Sequence, residues 1–197
     1  STGDSHQCEM YREHGITGLP GGFAEYVTVP AVNAVRIESD VDVAEAALVD
    51  PLACVFHSTD LLTRADARYT LGSGDGHAVR TAIVCGAGPS GLLFVQYLRR
   101  VLGFDGLLLV VEPNARRRAL AERFGAEAVD PVAVDAADVV RERTRGRGAE
   151  LVTEPSGSAP APAALPRLIR KQATVLLYGH GHDGVDAETG ERGTHAA

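Results

Sequence analysis

Residues 81–103 read TAIVCGAGPSGLLFVQYLRRVLG, in which three closely spaced glycines join an apolar run to a segment with an apolar stripe. The apolar run has the length and composition of a buried strand, and the segment after the glycines has helical spacing. A strand, a glycine-rich turn and a helix in this order are typical of a dinucleotide-binding unit. Gly86 permits the tight turn, Gly88 lets the backbone approach a pyrophosphate, and Gly91 lets helix and strand pack closely.

An acidic residue follows the second apolar run. Residues 107–111, LLLVV, lead directly into Glu112, which follows the last loop glycine at roughly the 20-residue spacing of a carboxylate that binds the adenosine ribose. A carboxylate there accepts the ribose hydroxyls and repels a 2′-phosphate, which favours NAD over NADP. Arginines at 116–118 lie near enough to hold a phosphate, so NADP stays open. The predicted nucleotide-binding residues are Gly86, Gly88, Pro89, Ser90, Gly91, Glu112 and Arg117.

Apolar runs alternate with amphipathic segments through the second part of the chain. Strands are predicted at 81–85, 107–111, 127–129, 149–153 and 173–178, and helices at 90–102, 114–124, 135–145 and 160–171. Strands separated by helices of this length form a parallel sheet with right-handed crossovers. The predicted fold class is therefore α/β, with a doubly wound parallel sheet of the Rossmann type.

The part before residue 81 has a different pattern. Residues 22–30 alternate in polarity up to a proline, which predicts a strand. Residues 43–65 have helical spacing interrupted by Pro51, which predicts two helices or one kinked helix. We therefore predict a β region at 1–40, connecting helices and a linker at 41–72, and a nucleotide-binding domain at 73–197.

The composition is that of an acidic globular protein. The formal net charge is -7 at pH 7, and 45% of the residues are hydrophobic. This charge disfavours nucleic acid and anionic membranes as partners. The sequence has neither an apolar run long enough to span a membrane nor a signal-peptide pattern at its start, so we expect a cytoplasmic protein. Three dispersed cysteines do not predict a disulfide framework.

Other proteins also combine a glycine loop with an acidic residue. Methyltransferases hold S-adenosylmethionine in this way, but their loop usually carries an acidic residue where this chain has Cys85. A non-catalytic nucleotide-binding module and a glycine turn without a ligand remain further alternatives. The phosphate-loop motif GxxxxGK[ST] does not occur. The Tyr-x-x-x-Lys pair of short-chain dehydrogenases does not occur either, because Lys171, the sole lysine, has Arg167 four residues before it.

Four segments carry a resemblance to a known family: GGFAEYVTVPAVNAVRI, AALVDPLACVFHS, AIVCGAGPSGLLFVQYLR and AERFGAEAVDP. Together they resemble the zinc-dependent medium-chain dehydrogenases, near the alcohol, sorbitol and threonine dehydrogenase branch, from about Cys8 to about Asp186. The resemblance implies that the Rossmann domain is preceded by a remnant of a GroES-like β catalytic domain. It also implies reversible hydride transfer between a secondary alcohol and NAD, with zinc polarising the alcohol oxygen.

The same resemblance implies where a metal would bind. Asp50, in VDPLA, matches a catalytic zinc ligand, and Cys8 matches the last cysteine of a structural zinc lobe. The chain departs from the family because it has neither a Gly-His-Glu motif nor clustered cysteines. We therefore expect an internal fragment, lacking the N-terminal catalytic part and the C-terminal end, that is inactive and binds no zinc tightly alone. No catalytic residue is assigned.

The remaining candidate residues have simpler interpretations. His180 and His182 are interpreted as part of a loop rather than as a metal pair, and Cys54 and His57 as core or pocket-wall residues. The resemblance implies a small alcohol or polyol substrate and a dimer or tetramer. A zinc-free member of the same fold, of the quinone reductase branch, stays open as the alternative.

Overall fold

The computed structural model describes residues 8–38, 40–72, 74, 76–158 and 160–179. The chain divides into two compact units, one up to Asp42 and one from Val43 onward. The histidines at 180 and 182, and the predicted end of the nucleotide-binding domain, lie outside the described residues. Among the described residues, no helix is long and apolar enough to cross a membrane.

The first unit contains little regular structure in its described part. Two short strands, β1 (Glu13–His14) and β2 (Gly18–Leu19), pair with each other, and a 3-10 turn follows at Ala31–Asn33. The strand predicted at 22–30 is wrong, because no described residue pairs with this segment. Alternating polarity gives only a tendency, whereas a strand needs a ladder partner and a surface that buries one face.

The second unit opens with two helices, α1 (Val43–Ala46) and α2 (Val49–Arg64). Two helices are one of the two predicted arrangements, but the break lies before α2 begins rather than at Pro51. Pro51 lies in the first turn of α2. The N–H groups of a first turn have no partner within the helix, so the missing donor of proline costs little there.

A five-stranded parallel sheet forms the centre of the second unit. Its strand order is β5-β4-β3-β6-β7, so the connections reverse direction between β3 and β6. The register joins Val84 to Val110 on one side and to Thr153 on the other. The strands are β3 (Thr81–Cys85), β4 (Leu107–Val111), β5 (Glu127–Val129), β6 (Ala149–Glu154) and β7 (Ile169–Leu177). The predicted Rossmann-type sheet is confirmed.

Helices cover both faces of this sheet. They are α3 (Pro89–Gln96), which continues as a π-helical turn (Tyr97–Val101), α4 (Ala115–Arg123), α5 (Ala136–Thr144) and α6 (Pro160–Leu168). Successive residues of β3 point to opposite faces, as the pleat requires. Ala82 and Val84 join a core with α2, α3 and α4, whereas Ile83 and Cys85 join a core with α5 and α6.

One boundary differs clearly from the prediction. Residues 169–171 were expected to end the last helix, but they belong to β7. Arg170 forms an ion pair with the buried Glu150 of the neighbouring strand, at 2.7 Å between nitrogen and oxygen. The strand therefore begins at Ile169, where it pairs with Ala149.

Candidate functional site

The glycine loop connects β3 to α3 at the point where the sheet order reverses. Gly86 has a φ of 102°, a left-handed conformation that favours glycine, and its N–H donates to the Val111 carbonyl at 2.8 Å. Gly88 lies at the N-cap of α3, and no side chain caps the helix there. The first N–H groups of α3 therefore have no side-chain acceptor and are available to an anion.

The other two loop glycines have opposite surroundings. A Cβ added to Gly91 would overlap the Gly86 carbonyl oxygen and lie 2.9 Å from its carbon, so only glycine fits there. A Cβ added to Gly88 would meet no atom within 4 Å. Gly88 therefore leaves open space over the backbone, which is the space that a pyrophosphate would need.

The Glu112 carboxylate holds the glycine loop in place through main-chain hydrogen bonds. It is only 3% exposed, its Oε2 accepts the Ala87 N–H at 2.7 Å, and its Oε1 accepts the Asn114 N–H at 2.8 Å. A carboxylate has about four acceptor positions, so two main-chain bonds leave acceptor capacity for ribose hydroxyls. The carboxylate therefore fixes the loop shape whether or not a ligand is bound.

A cleft of about 850 Å³ opens beside the loop at the carboxyl ends of the strands, on the α5 and α6 side. Gly86 and Glu112 line it, as do Arg117, Ser156 and Arg167. This is the position at which doubly wound sheets bind nucleotides. Arg117 places a cationic side chain at its wall, whereas Arg167 forms an ion pair with Asp135, which also lines the cleft.

The three arginines at 116–118, after β4, lie in different surroundings. Arg117 lines the cleft and is exposed. Arg118 turns back onto the protein, donates to the carbonyls of Glu112 and Pro113, and forms an ion pair with Asp130 at 2.8 Å. Arg116 is exposed and does not line the cleft. The prediction of Arg117 as the nucleotide-contacting arginine stays a prediction, and the cleft lining agrees with it.

A second buried carboxylate, that of Glu154, stabilises the turn that packs on the other side of the loop. The sequence analysis did not identify this residue. It ends β6 and accepts the N–H groups of Ser156 and Gly157 at 2.9 and 3.2 Å. The loop it holds packs on Gly86, where an added Cβ would lie 3.0 Å from the Ser156 Cβ. The available signal was an acidic residue at a strand end followed by Pro-Ser-Gly, since Glu112 directly follows β4 in a similar way.

Cys85, the last residue of β3, lines the cleft. Burial raises the pKa of the Cys85 thiol to about 12, and the nearby Glu154 carboxylate contributes to the rise. The thiol is therefore protonated at neutral pH and is not a nucleophile.

The two predicted metal ligands lie in different units and belong to two different predicted zinc sites. Cys8 is exposed in the first unit, and Asp50 is exposed in the first turn of α2 in the second. Within the described ranges, no group of three or more His, Cys, Asp or Glu side chains could hold a metal ion. Cys54 and His57 are both exposed, which contradicts a position in the core, and their alternative interpretation as pocket-wall residues stays a prediction.

Tyr178, at the end of β7, lies near Asp50 and Cys54. Burial raises the pKa of Tyr178, a hydrogen bond with Ser90 lowers it, and the Cys54 thiol and the Asp50 carboxylate raise it further. Ser90 is the second residue of α3 and was predicted as a nucleotide contact.

Comparison with known proteins gives consistent matches. The family model described as zinc-binding dehydrogenase matches residues 89–192. A 2-dehydro-3-deoxy-L-galactonate 5-dehydrogenase of Pseudoalteromonas atlantica is 30% identical over 175 residues, which cover 89% of this chain and 47% of that protein. A sorbitol dehydrogenase of Halalkalibacterium halodurans is 31% identical, covering 91% of this chain and 48% of its own length.

The fold has matches among solved structures as well. The alcohol dehydrogenase of the archaeon Aeropyrum pernix superposes with a TM-score of 0.70 at 24% identity, covering 86% of this chain and 47% of that one. The chain spans about half the length of the curated relatives it matches.

Proposed function

The chain belongs to the zinc-binding dehydrogenase family, and from this premise we propose that the protein transfers hydride between a secondary alcohol and NAD, acting on a small alcohol or polyol. The observation that carries the proposal is the glycine loop at the sheet reversal, with open space over Gly88 beside a cleft that ends at Glu112. The sorbitol and sugar-acid dehydrogenase relatives support the substrate class.

Each part of the loop has a role in this proposal. The N–H groups of Gly88 and Ser90, at the start of α3, bind the pyrophosphate, for which the helix dipole adds a favourable field. Pro89 at the first helical position fixes the entry of the helix and has no N–H to lose. Glu112 accepts the ribose hydroxyls and Arg117 borders the adenosine end of the cleft. The bound dinucleotide supplies the hydride acceptor.

Zinc enters the proposal through the family alone. Asp50 is the described residue at the family position of a catalytic ligand, and Cys8 is the corresponding residue for a structural zinc. A catalytic zinc usually takes three protein ligands, and the described residues bring no such set together.

The wider setting is part of the same proposal. The net charge of -7 supports a small-molecule substrate over nucleic acid or an anionic membrane as partner. We extend the proposal to a cytoplasmic protein that works as a dimer or tetramer, as the resemblance implies.

The decisive experiment measures cofactor binding to the chain by titration calorimetry, with NADH, NADPH and S-adenosylmethionine as separate ligands. NADH should bind more tightly than NADPH, and S-adenosylmethionine should not bind. Gly88→Ala should weaken NADH at least tenfold, because the added methyl group occupies the space over the loop.

Gly76→Ala is the matched control. Gly76 also has no atom within 4 Å of an added Cβ and no positive φ, but it lies before β3, away from the loop. Its NADH affinity should equal that of the unmodified chain. Equal NADH affinity in both variants would contradict the phosphate-binding role of the loop, and binding of S-adenosylmethionine alone would replace the proposed function.

A further inference from the structure

An ion pair joins α5 to α6 at the wall of the cleft that opens beside the glycine loop. The Asp135 carboxylate lies at the N-cap of α5, and the Arg167 guanidinium lies in the last turn of α6. The two side chains form an ion pair, and both of them line the cleft. The pair therefore belongs to the surface that a ligand in the cleft would meet.

Both oxygens of the Asp135 carboxylate have a partner. Its Oδ1 accepts the Ala137 N–H at 2.9 Å, which caps α5, and its Oδ2 accepts a hydrogen bond from the Arg167 guanidinium. The hydrogen bond from Arg167, followed by that from the Ala137 N–H, holds the pKa of Asp135 below its usual range. The carboxylate is therefore charged at neutral pH, and its two partners fix its orientation.

The charges at the cleft wall balance one another. Among the described residues that line the cleft, Glu112 and Asp135 are acidic, and Arg117 and Arg167 are basic. Glu112 is buried and its oxygens accept main-chain N–H groups, whereas Arg117 is exposed. Without the charge of Asp135, this lining would have two cations against one buried carboxylate.

An excess of cationic charge in the cleft would favour a ligand that carries a further phosphate. NADP differs from NAD by a 2′-phosphate on the adenosine ribose, and a phosphate monoester adds a charge of about −1.5 to −2 at pH 7. A free guanidinium binds such a phosphate through two parallel hydrogen bonds. A carboxylate that already accepts from the guanidinium competes with the phosphate for these donors.

We propose that Asp135 is a specificity-determining residue, which favours NAD over NADP because it holds Arg167 in an ion pair and so withholds this cation from a 2′-phosphate. This inference rests on the proposed function and adds to the role of Glu112. Glu112 acts on the ribose through its own carboxylate, whereas Asp135 acts through the availability of a cation on another helix. The preference for NAD therefore depends on two carboxylates.

The test compares ADP-ribose with 2′-phospho-ADP-ribose by titration calorimetry at low salt, because these two ligands differ in the 2′-phosphate alone. Asp135→Asn removes the charge but keeps a side-chain oxygen that caps a helix equally well. The variant should bind 2′-phospho-ADP-ribose about fourfold more tightly relative to ADP-ribose, which is the effect of removing one charge about 10 Å from a doubly charged phosphate in water.

Arg167→Gln breaks the same ion pair and should have the opposite effect, because the Asp135 carboxylate then has no counter-charge in the pair. The affinity for 2′-phospho-ADP-ribose should fall about fourfold relative to that for ADP-ribose. The double variant, Asp135→Asn with Arg167→Gln, restores the charge balance of the lining. Its ratio of the two affinities should return to within about twofold of the unmodified chain.

Asp138→Asn is the matched control. Asp138 lies in the first turn of the same helix and forms an exposed ion pair with Arg141, but it does not line the cleft. Because solvent and salt screen an exposed charge, its removal should leave the ratio of the two affinities within about 1.5-fold of the unmodified chain. For the same reason, the effect of Asp135→Asn should shrink to less than about twofold near 1 M salt.

The possible outcomes separate the inference from the proposed function. Equal changes for the two ligands in Asp135→Asn would show a merely structural role of the ion pair and overturn the inference. A ratio that changes in the same direction in Asp135→Asn and Arg167→Gln, or as strongly in Asp138→Asn, would also overturn it. Failure of the unmodified chain to bind ADP-ribose would refute the proposed function itself, and the inference with it.

Discussion

The contrast between Gly91 and Gly88 predicts two different effects of the same substitution. Gly91→Ala places a Cβ in overlap with the Gly86 carbonyl oxygen and 2.9 Å from its carbon. Carbon atoms prefer separations of about 3.5–4.0 Å, so the loop must move by roughly 1 Å. Gly88→Ala meets no atom within 4 Å, and its φ of -68° suits any residue.

The loop has little freedom to make that movement. Gly86 donates to the Val111 carbonyl at 2.8 Å, and the next N–H donates to Glu112 at 2.7 Å. Overpacking costs about 1–3 kcal/mol, and each disturbed hydrogen bond adds about 1 kcal/mol. We expect Gly91→Ala to lower the free energy of unfolding by about 3 kcal/mol. Gly88→Ala should change it by less than about 1 kcal/mol, with a stabilising sign from the reduced freedom of the unfolded chain.

Urea unfolding followed by circular dichroism measures both changes. With a slope of about 2 kcal/mol per molar urea, the Gly91→Ala midpoint should fall by roughly 1.5 M. The Gly88→Ala midpoint should stay within about 0.5 M of the unmodified chain. Coinciding midpoints for the two variants would refute the assignment of close packing to Gly91 and open space to Gly88.

Three further predictions concern other parts of the chain. The free energy of unfolding should fall above about pH 9, by up to ~1.4 kcal/mol per pH unit toward pH 12, because the unfolded Cys85 thiol loses its proton first. Cys85→Ala should remove that slope in denaturation at pH 7 to 11, and an identical slope in the variant would contradict the buried neutral thiol. Glu150→Ala breaks a buried ion pair and should cost about 3 kcal/mol in thermal unfolding. Glu127→Ala, which breaks an exposed pair, should cost less than about 1 kcal/mol, and similar losses would count against the distinction. Phe23 and Tyr26 are fully exposed, so the chain should self-associate in sedimentation experiments. Replacement of both residues by serine should reduce the self-association. If the unmodified chain and the double variant both sediment as monomers, the exposed aromatic residues do not drive association.

The central strands could be predicted from the sequence because burial on both faces requires continuous apolar runs. TAIVC and LLLVV have this pattern, and β3 and β4 begin and end where it does. The end of α6 could not be predicted in the same way. Residues 169–171 are Ile-Arg-Lys, a sequence without a strand pattern, and they join β7 through the pairing of Ile169 with Ala149 and the ion pair of Arg170. Such long-range contacts leave no local pattern.

In the candidate site, too, local sequence patterns predict some features, and others depend on long-range contacts. The spacing from the glycines identifies Glu112, but the sequence does not show that its carboxylate is buried and accepts two main-chain N–H groups. Glu154 and Tyr178 have no fixed spacing from the loop, because chain folding alone brings β6 beside β3 and β7 beside β6. The segment at 22–30 fails for the opposite reason, since its local pattern is clear but its described surroundings provide no partner strand.

The two buried carboxylates on either side of Gly86 affect the kinetics of association. Glu112 and Glu154 fix the turns that flank the crevice, and each does so through main-chain donors of its own chain. A ligand therefore meets a crevice whose walls already have their final spacing, and little ordering entropy is lost on arrival. Binding of ADP-ribose should accordingly be a single-step process whose observed rate rises linearly with ligand concentration. A hyperbolic approach to a plateau would instead indicate that the crevice rearranges.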